Sequence, residues 1–219
     1  MNRLRRRLLA GNLAAGGVAL AAPLAGSLRG LHNSCQAQLP PDPAVAELFR
    51  SAWEGIEPQR YPGFHVHLAG TGDSGSGIEV NSQMETLFQP MPYAQRLFDL
   101  NAGCVQDASG RVDESHVERM LNRVEALPAG AILLLFAFDR FHGENGRPDA
   151  ERSSFHTPNA YARRVSERHP LAFLWAASIH PCRPDCVDEL AAAVAGGPRA
   201  AKWLPPAMGI DPSSPLMLV

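Results

Sequence analysis

Cysteine is scarce: Cys35, Cys104, Cys182 and Cys186 are four thiols in 219 residues, too few for the disulfide framework of a small cross-linked domain. Cys182 and Cys186 are close in sequence and an export route would permit a bond between them, yet the default reading of all four is buried or incidental thiols. A surplus of positive charge is also missing. Lys plus Arg total 20 against 22 Asp plus Glu, for a net charge of −2. Arg3, Arg5, Arg6 and Arg7 take up part of that total, so the rest of the chain is distinctly acidic. A nucleic-acid surface needs a basic patch in the folded part, so no nucleic-acid partner is expected. A good membrane span is lacking too. The uncharged stretch Leu8 to Leu28 is long enough, but Asn12, Pro23 and its glycines make it a poor spanning helix. What is present is a 45% hydrophobic, 19% charged composition, ordinary for a globular protein with a sizeable core. The length suits one domain, or one domain with an appendage.

The appendage is N-terminal. Clustered arginines followed by a Leu-, Ala- and Gly-rich stretch form the pattern of an export signal or an N-terminal anchor. Adjacent arginines also hint at a twin-arginine signal. Residues 1–38 are therefore expected to be signal or anchor plus linker, and the protein to be exported, periplasmic or membrane-associated through this end. Leu31 to Cys35 loosely fits a lipoprotein cleavage site, though His32 sits badly in it. Residues 39–219 are expected to be the folded domain.

Past Pro40-Pro41-Asp42-Pro43, hydrophobic periodicity predicts a series of alternating elements. Helices are expected over Ala44–Glu54, Met84–Asn101, Asp113–Leu127, Thr157–Arg168 (Thr157 as N-cap, Pro158 in the first turn) and Pro184–Ala195. Strands are expected over Tyr61–Leu68, Ala131–Phe138, Ala172–Ile179 and Arg199–Leu204. The apolar run Ala131–Phe138 is that of a strand buried on both faces. Such alternation means βαβ units, a parallel sheet and right-handed crossovers: an α/β fold of about four βα units.

The predicted strand ends carry polar residues where βα loops build active faces. The first ends in His65-Val66-His67, and residues i and i+2 of a strand share a face. Two imidazoles so placed are a usable cradle for one divalent ion. The second ends in Asp139, followed by Arg140 and His142; the third in His180; the fourth carries Lys202. Each also has a plainer role open to it. Asp139 suits a loop cap, His180 a hydrogen-bonded loop histidine, and His142 a solvated one. Lys202 is the more telling, since a lysine is almost never buried without a partner.

Phe64-His65-Val66-His67-Leu68-Ala69-Gly70-Thr71-Gly72, with Lys202-Trp203-Leu204-Pro205-Pro206, resembles the amidohydrolase superfamily of metal-dependent hydrolases, and within it the small amidohydrolase-related barrels. The resemblance covers roughly Tyr61 to Pro215. It implies the N-terminal part of a distorted (β/α)8 TIM-like barrel and a divalent metal, usually zinc, held first by His65 and His67. Lys202 matches a strand-four lysine that in some members is carboxylated and bridges two metals. Metal-activated water would then cleave an amide, ester or lactone of a small-molecule substrate, with Lys202, Asp139 and His180 as the candidate catalytic residues. Two departures stand out: Gly63 occupies a position usually held by Asp, and the chain stops after strand four, before the histidines and aspartate that complete the family's site. An incomplete barrel with little activity alone is expected. The alternatives are a decarboxylase of the same superfamily, a non-catalytic remnant or binding module, a histidinol-phosphatase-type barrel with the same strand-one pair, and a small zinc knuckle of His180, Cys182 and Cys186. Oligomeric state is left open.

Overall fold

The computed structural model describes residues 42–60, 62–102 and 110–213, all within one unit spanning residues 36–219. The expected export segment, Cys35, Cys104 and the tail from Ser214 lie outside the described residues. In chain order the elements begin with α1 (Pro43–Ala52), β1 (Gly63–His67), β2 (Glu79–Val80), α2 (Pro90–Ala102) and α3 (Val112–Ala126). There follow β3 (Leu133–Phe136), β4 (Phe155–His156), α4 (Asn159–Arg168), β5 (Phe173–Ala177), α5 (Cys186–Ala195), β6 (Ala200–Ala201) and α6 (Pro205–Met208).

Strands β1, β3, β5 and β6 form a parallel sheet in that spatial order. His67 pairs with Phe136, Phe136 with Ala176, and Ala176 with Ala200. One row therefore crosses all four strands. Because spatial order follows chain order and crossovers keep one hand, successive helices return over the same face. The packing agrees. Met120 of α3, Tyr161, Ala162 and Val165 of α4, and Ala193 of α5 share one core with Leu135, Phe173, Trp175 and Ala177. The alternate residues Leu134, Phe136, Leu174 and Ala176 form a separate cluster on the opposite face. Both faces of β3 are thus apolar, which is why its sequence is a continuous run rather than an alternation.

Several sequence expectations need correction. The expected helix from Met84 begins instead as a 3-10 turn, Ser82–Glu85, and restarts as α2 at Pro90. Pro90 lacks the N–H an unbroken helix needs but suits a first turn. Thr157 is not the N-cap of α4; that position is Pro158. Thr157 pairs with Phe138 across an isolated bridge and sends its hydroxyl to the Leu68 carbonyl, 3.1 Å. The fourth strand shrinks to Ala200–Ala201, an exposed edge, so Lys202 stands just beyond the strand and is half-buried. An unforeseen antiparallel pair, β2 with β4, spans the loops after β1 and β3.

Candidate metal centre

Val66 packs toward the helices, so His65 and His67 project to the other face, where both rings meet Phe136 edge-on with centroids 5.5 Å away. Their Nε2 atoms are 3.1 Å apart. That is a hydrogen-bond distance, one ring donating and the other accepting according to tautomer; it is also close to the separation of about 3.3 Å between two nitrogens bound at about 2.0–2.1 Å to one tetrahedral ion. Burial, then the neighbouring His65 and Lys202, push the His67 imidazole down to about 4. At neutral pH it is therefore uncharged, as a ligand must be.

The fit is that of half a shell. Among the described residues no group of three His, Cys, Asp or Glu side chains converges on one point, and a catalytic zinc ordinarily has three protein ligands. The Nδ1 of His67 is buried without a hydrogen-bond partner, whereas a ligating histidine usually donates its second N–H. Gly63 also cannot take an acidic side chain without repacking, because a Cβ there would meet Leu133 Cδ2 at 2.8 Å.

Lys202 joins this face. Its Nζ lies 5.1 Å above the Phe136 ring, within range of a cation–π contact. Strand β5, between them, places only the small Ala176 on that row, so the long stem has a clear path. Lys202 forms no ion pair among the described residues, and it is the sole lysine of the sequence.

Asp139 and His180 are held elsewhere. Asp139 is 2% exposed and accepts hydrogen bonds from the backbone of Arg140 (2.8 Å) and His180 (2.8 Å) and from Arg183 Nη1 (3.2 Å). Hydrogen bonding to Asp185, and the charge of Asp139, hold the Arg183 guanidinium above its ordinary value. The His180 ring spends both nitrogens: Nε2 donates to the Met208 carbonyl (2.8 Å) and Nδ1 accepts from Cys182 N–H (3.1 Å). It is fully buried, and burial lowers its pKa. Among the described residues no hydrogen bond, ion pair or ring contact joins Asp139 or His180 to His65, His67 or Lys202. The zinc-knuckle alternative has no support in this geometry, and Cys182 and Cys186 are free thiols. His142 is not solvated but 6% exposed, its ring 4.8 Å from that of His180 and its Nδ1 bonded to the Arg140 carbonyl.

Two supports of the site carried little sequence signal. His116, from α3, donates Nε2–H to the His67 carbonyl at 3.0 Å, fixing the end of β1. Asp113, also from α3 and fully buried, accepts from Thr71 N–H (2.7 Å), Gly72 N–H (3.1 Å) and the Ser74 hydroxyl (3.1 Å). Burial raises its pKa, but hydrogen bonds led by Ser76 and Thr71 outweigh that and leave it lowered. Asp73 answers from the loop, accepting from the Val112 and Asp113 N–H groups at the start of α3.

Comparison with protein-family models, with curated proteins and with solved structures yields no match for this chain. The class that the geometry defines is therefore a mixed α/β protein with a four-stranded parallel sheet and a histidine pair at the C-terminal end of its first strand.

Proposed function

We propose that the protein is a metal-dependent hydrolase of the amidohydrolase type, its sheet being the first four strands of a (β/α)8 barrel and His65 and His67 the first ligands of a divalent ion, zinc foremost. The observation that carries the reading is the 3.1 Å separation of the two Nε2 atoms at a strand's C-terminal end. Supporting it, all the crossover helices that share the main core pack on the opposite face of the sheet, as the outer ring of a barrel does.

A divalent ion, when bound, supplies an activated water and polarises the bond to be cleaved. The chain's own contribution is positional. Phe136 holds both imidazoles edge-on, and the low basicity of His67 keeps its lone pair available. Lys202 brings a cation to the same face, suited to an anionic oxygen of substrate; carboxylated on Nζ, it would instead offer oxygen donors to the ion. With two imidazoles in place of three protein ligands, affinity and turnover are expected to be modest.

Calorimetric zinc titration of the purified chain tests the reading, alongside hydrolysis of a nitrophenyl ester, a lactone and an anilide. One zinc per chain is expected, with affinity at least about tenfold lower in His65→Ala and in His67→Ala, and with any turnover lost in both. Zinc binding unaltered in both variants would overturn it.

A further inference from the structure

His67 belongs to a second feature that the metal reading leaves unused: a cavity of about 470 Å³ running between β1, the β2 segment and α2. Small-molecule sites typically enclose about 300–1,000 Å³ and are mainly apolar with a few placed polar groups. Ile78, Val80, Met84, Leu100 and Phe155 supply apolar wall. Ile78, Met84 and Leu100 are themselves buried, so that wall is packed from behind.

The placed polar group is Arg96. It lines the cavity, its Nε is buried without a hydrogen-bond partner, and it forms no ion pair among the described residues. A buried donor left unmet is destabilising, and the guanidinium fork matches a carboxylate on two parallel bonds. Asp99, one turn on, also borders the cavity; burial of its carboxyl raises its pKa and so disfavours the charged form.

We propose that this cavity binds a molecule with an apolar body and a carboxylate, the carboxylate paired with Arg96 and the body lying along Ile78, Val80, Met84, Leu100 and Phe155. Resting on the hydrolase reading, it follows that the substrate class is an apolar acid whose scissile bond is presented at His67.

Titration of the full chain in a metal chelator, with octanoate, 1-octanol and octylamine as probes, tests the pocket without the metal. Octanoate is expected to bind at least about tenfold more tightly than 1-octanol, and octylamine more weakly than either. Arg96→Gln is expected to abolish the preference for octanoate, and Arg96→Lys to restore part of it. Equal affinity for octanoate and 1-octanol in the unaltered chain, a preference that survives Arg96→Gln, or no binding of any probe would overturn the pocket assignment. The unaltered chain decides even where a variant folds poorly. Octanoate preference in a chain that binds no zinc upholds the pocket and removes only the hydrolase reading. Zinc binding without octanoate preference removes the pocket and leaves the hydrolase reading in place.

Discussion

Lys202 shows what a single residue adds to the candidate site. As the sole lysine in the sequence, it makes any signal from a modified ε-amine assignable apart from the chain's terminal amine. If it is carboxylated, a carbamate carbon is expected in the 13C spectrum of the zinc-loaded protein in labelled bicarbonate and not in Lys202→Ala; a signal of equal strength in that variant would exclude the role. His156 is informative through pH. Burial, followed by the charge of Arg140, pushes its pKa from 6.5 down to about 4, against the opposing pull of Asp139 and Glu79. The folded state therefore favours the neutral ring. Its contribution to stability is full above pH 6.5 and is lost as the pH falls toward about 4. The melting temperature is expected to drop across that window and to drop less steeply in His156→Gln. The same slope in the variant would contradict the assignment. The sequence pointed to His65 and His67 because strand alternation fixes their common face. It gave no comparable warning for His142, whose burial arises from a loop folding back onto His180.

At the scale of elements, the loop after β1 and the start of α3 hold each other. Asp73 caps α3 from the loop, and Asp113 gathers the loop's N–H groups from the helix. Gly70 leaves room for this, since a Cβ there would run into Asp113, and Gly72 supplies the left-handed turn at φ +81°. Asp113→Ala strands several buried donors and is expected to cost about 3 kcal/mol in urea unfolding, against about 1 kcal/mol for the cap variant Asp73→Ala. Equal, small effects would show that the loop is held by something else. From the sequence alone, Asp113 reads as one more acid in a helix's first turn. Its partners lie some forty residues upstream, beyond the reach of any periodicity. The same holds for β2 and β4, two residues each, too short for alternation to register. The longer strands and helices were legible because three or more apolar positions repeat in each.

At the scale of the whole molecule, the alternation of strand and helix anticipated the parallel sheet, and the order β1-β3-β5-β6 brings the histidine pair from one edge strand and Lys202 from just beyond the other to the same face, against a shared Phe136. The cavity against His67 was not legible, because it depends on where α2 settles after Pro90 interrupts the helix. The proposed hydrolase activity turns on whether one ion sits between His65 and His67. Zinc K-edge X-ray absorption of the loaded chain is expected to show two imidazole nitrogens at about 2.0–2.1 Å, with imidazole scattering reduced in both His65→Ala and His67→Ala. A spectrum of hexaaquo zinc, or one that neither substitution alters, would contradict the metal site.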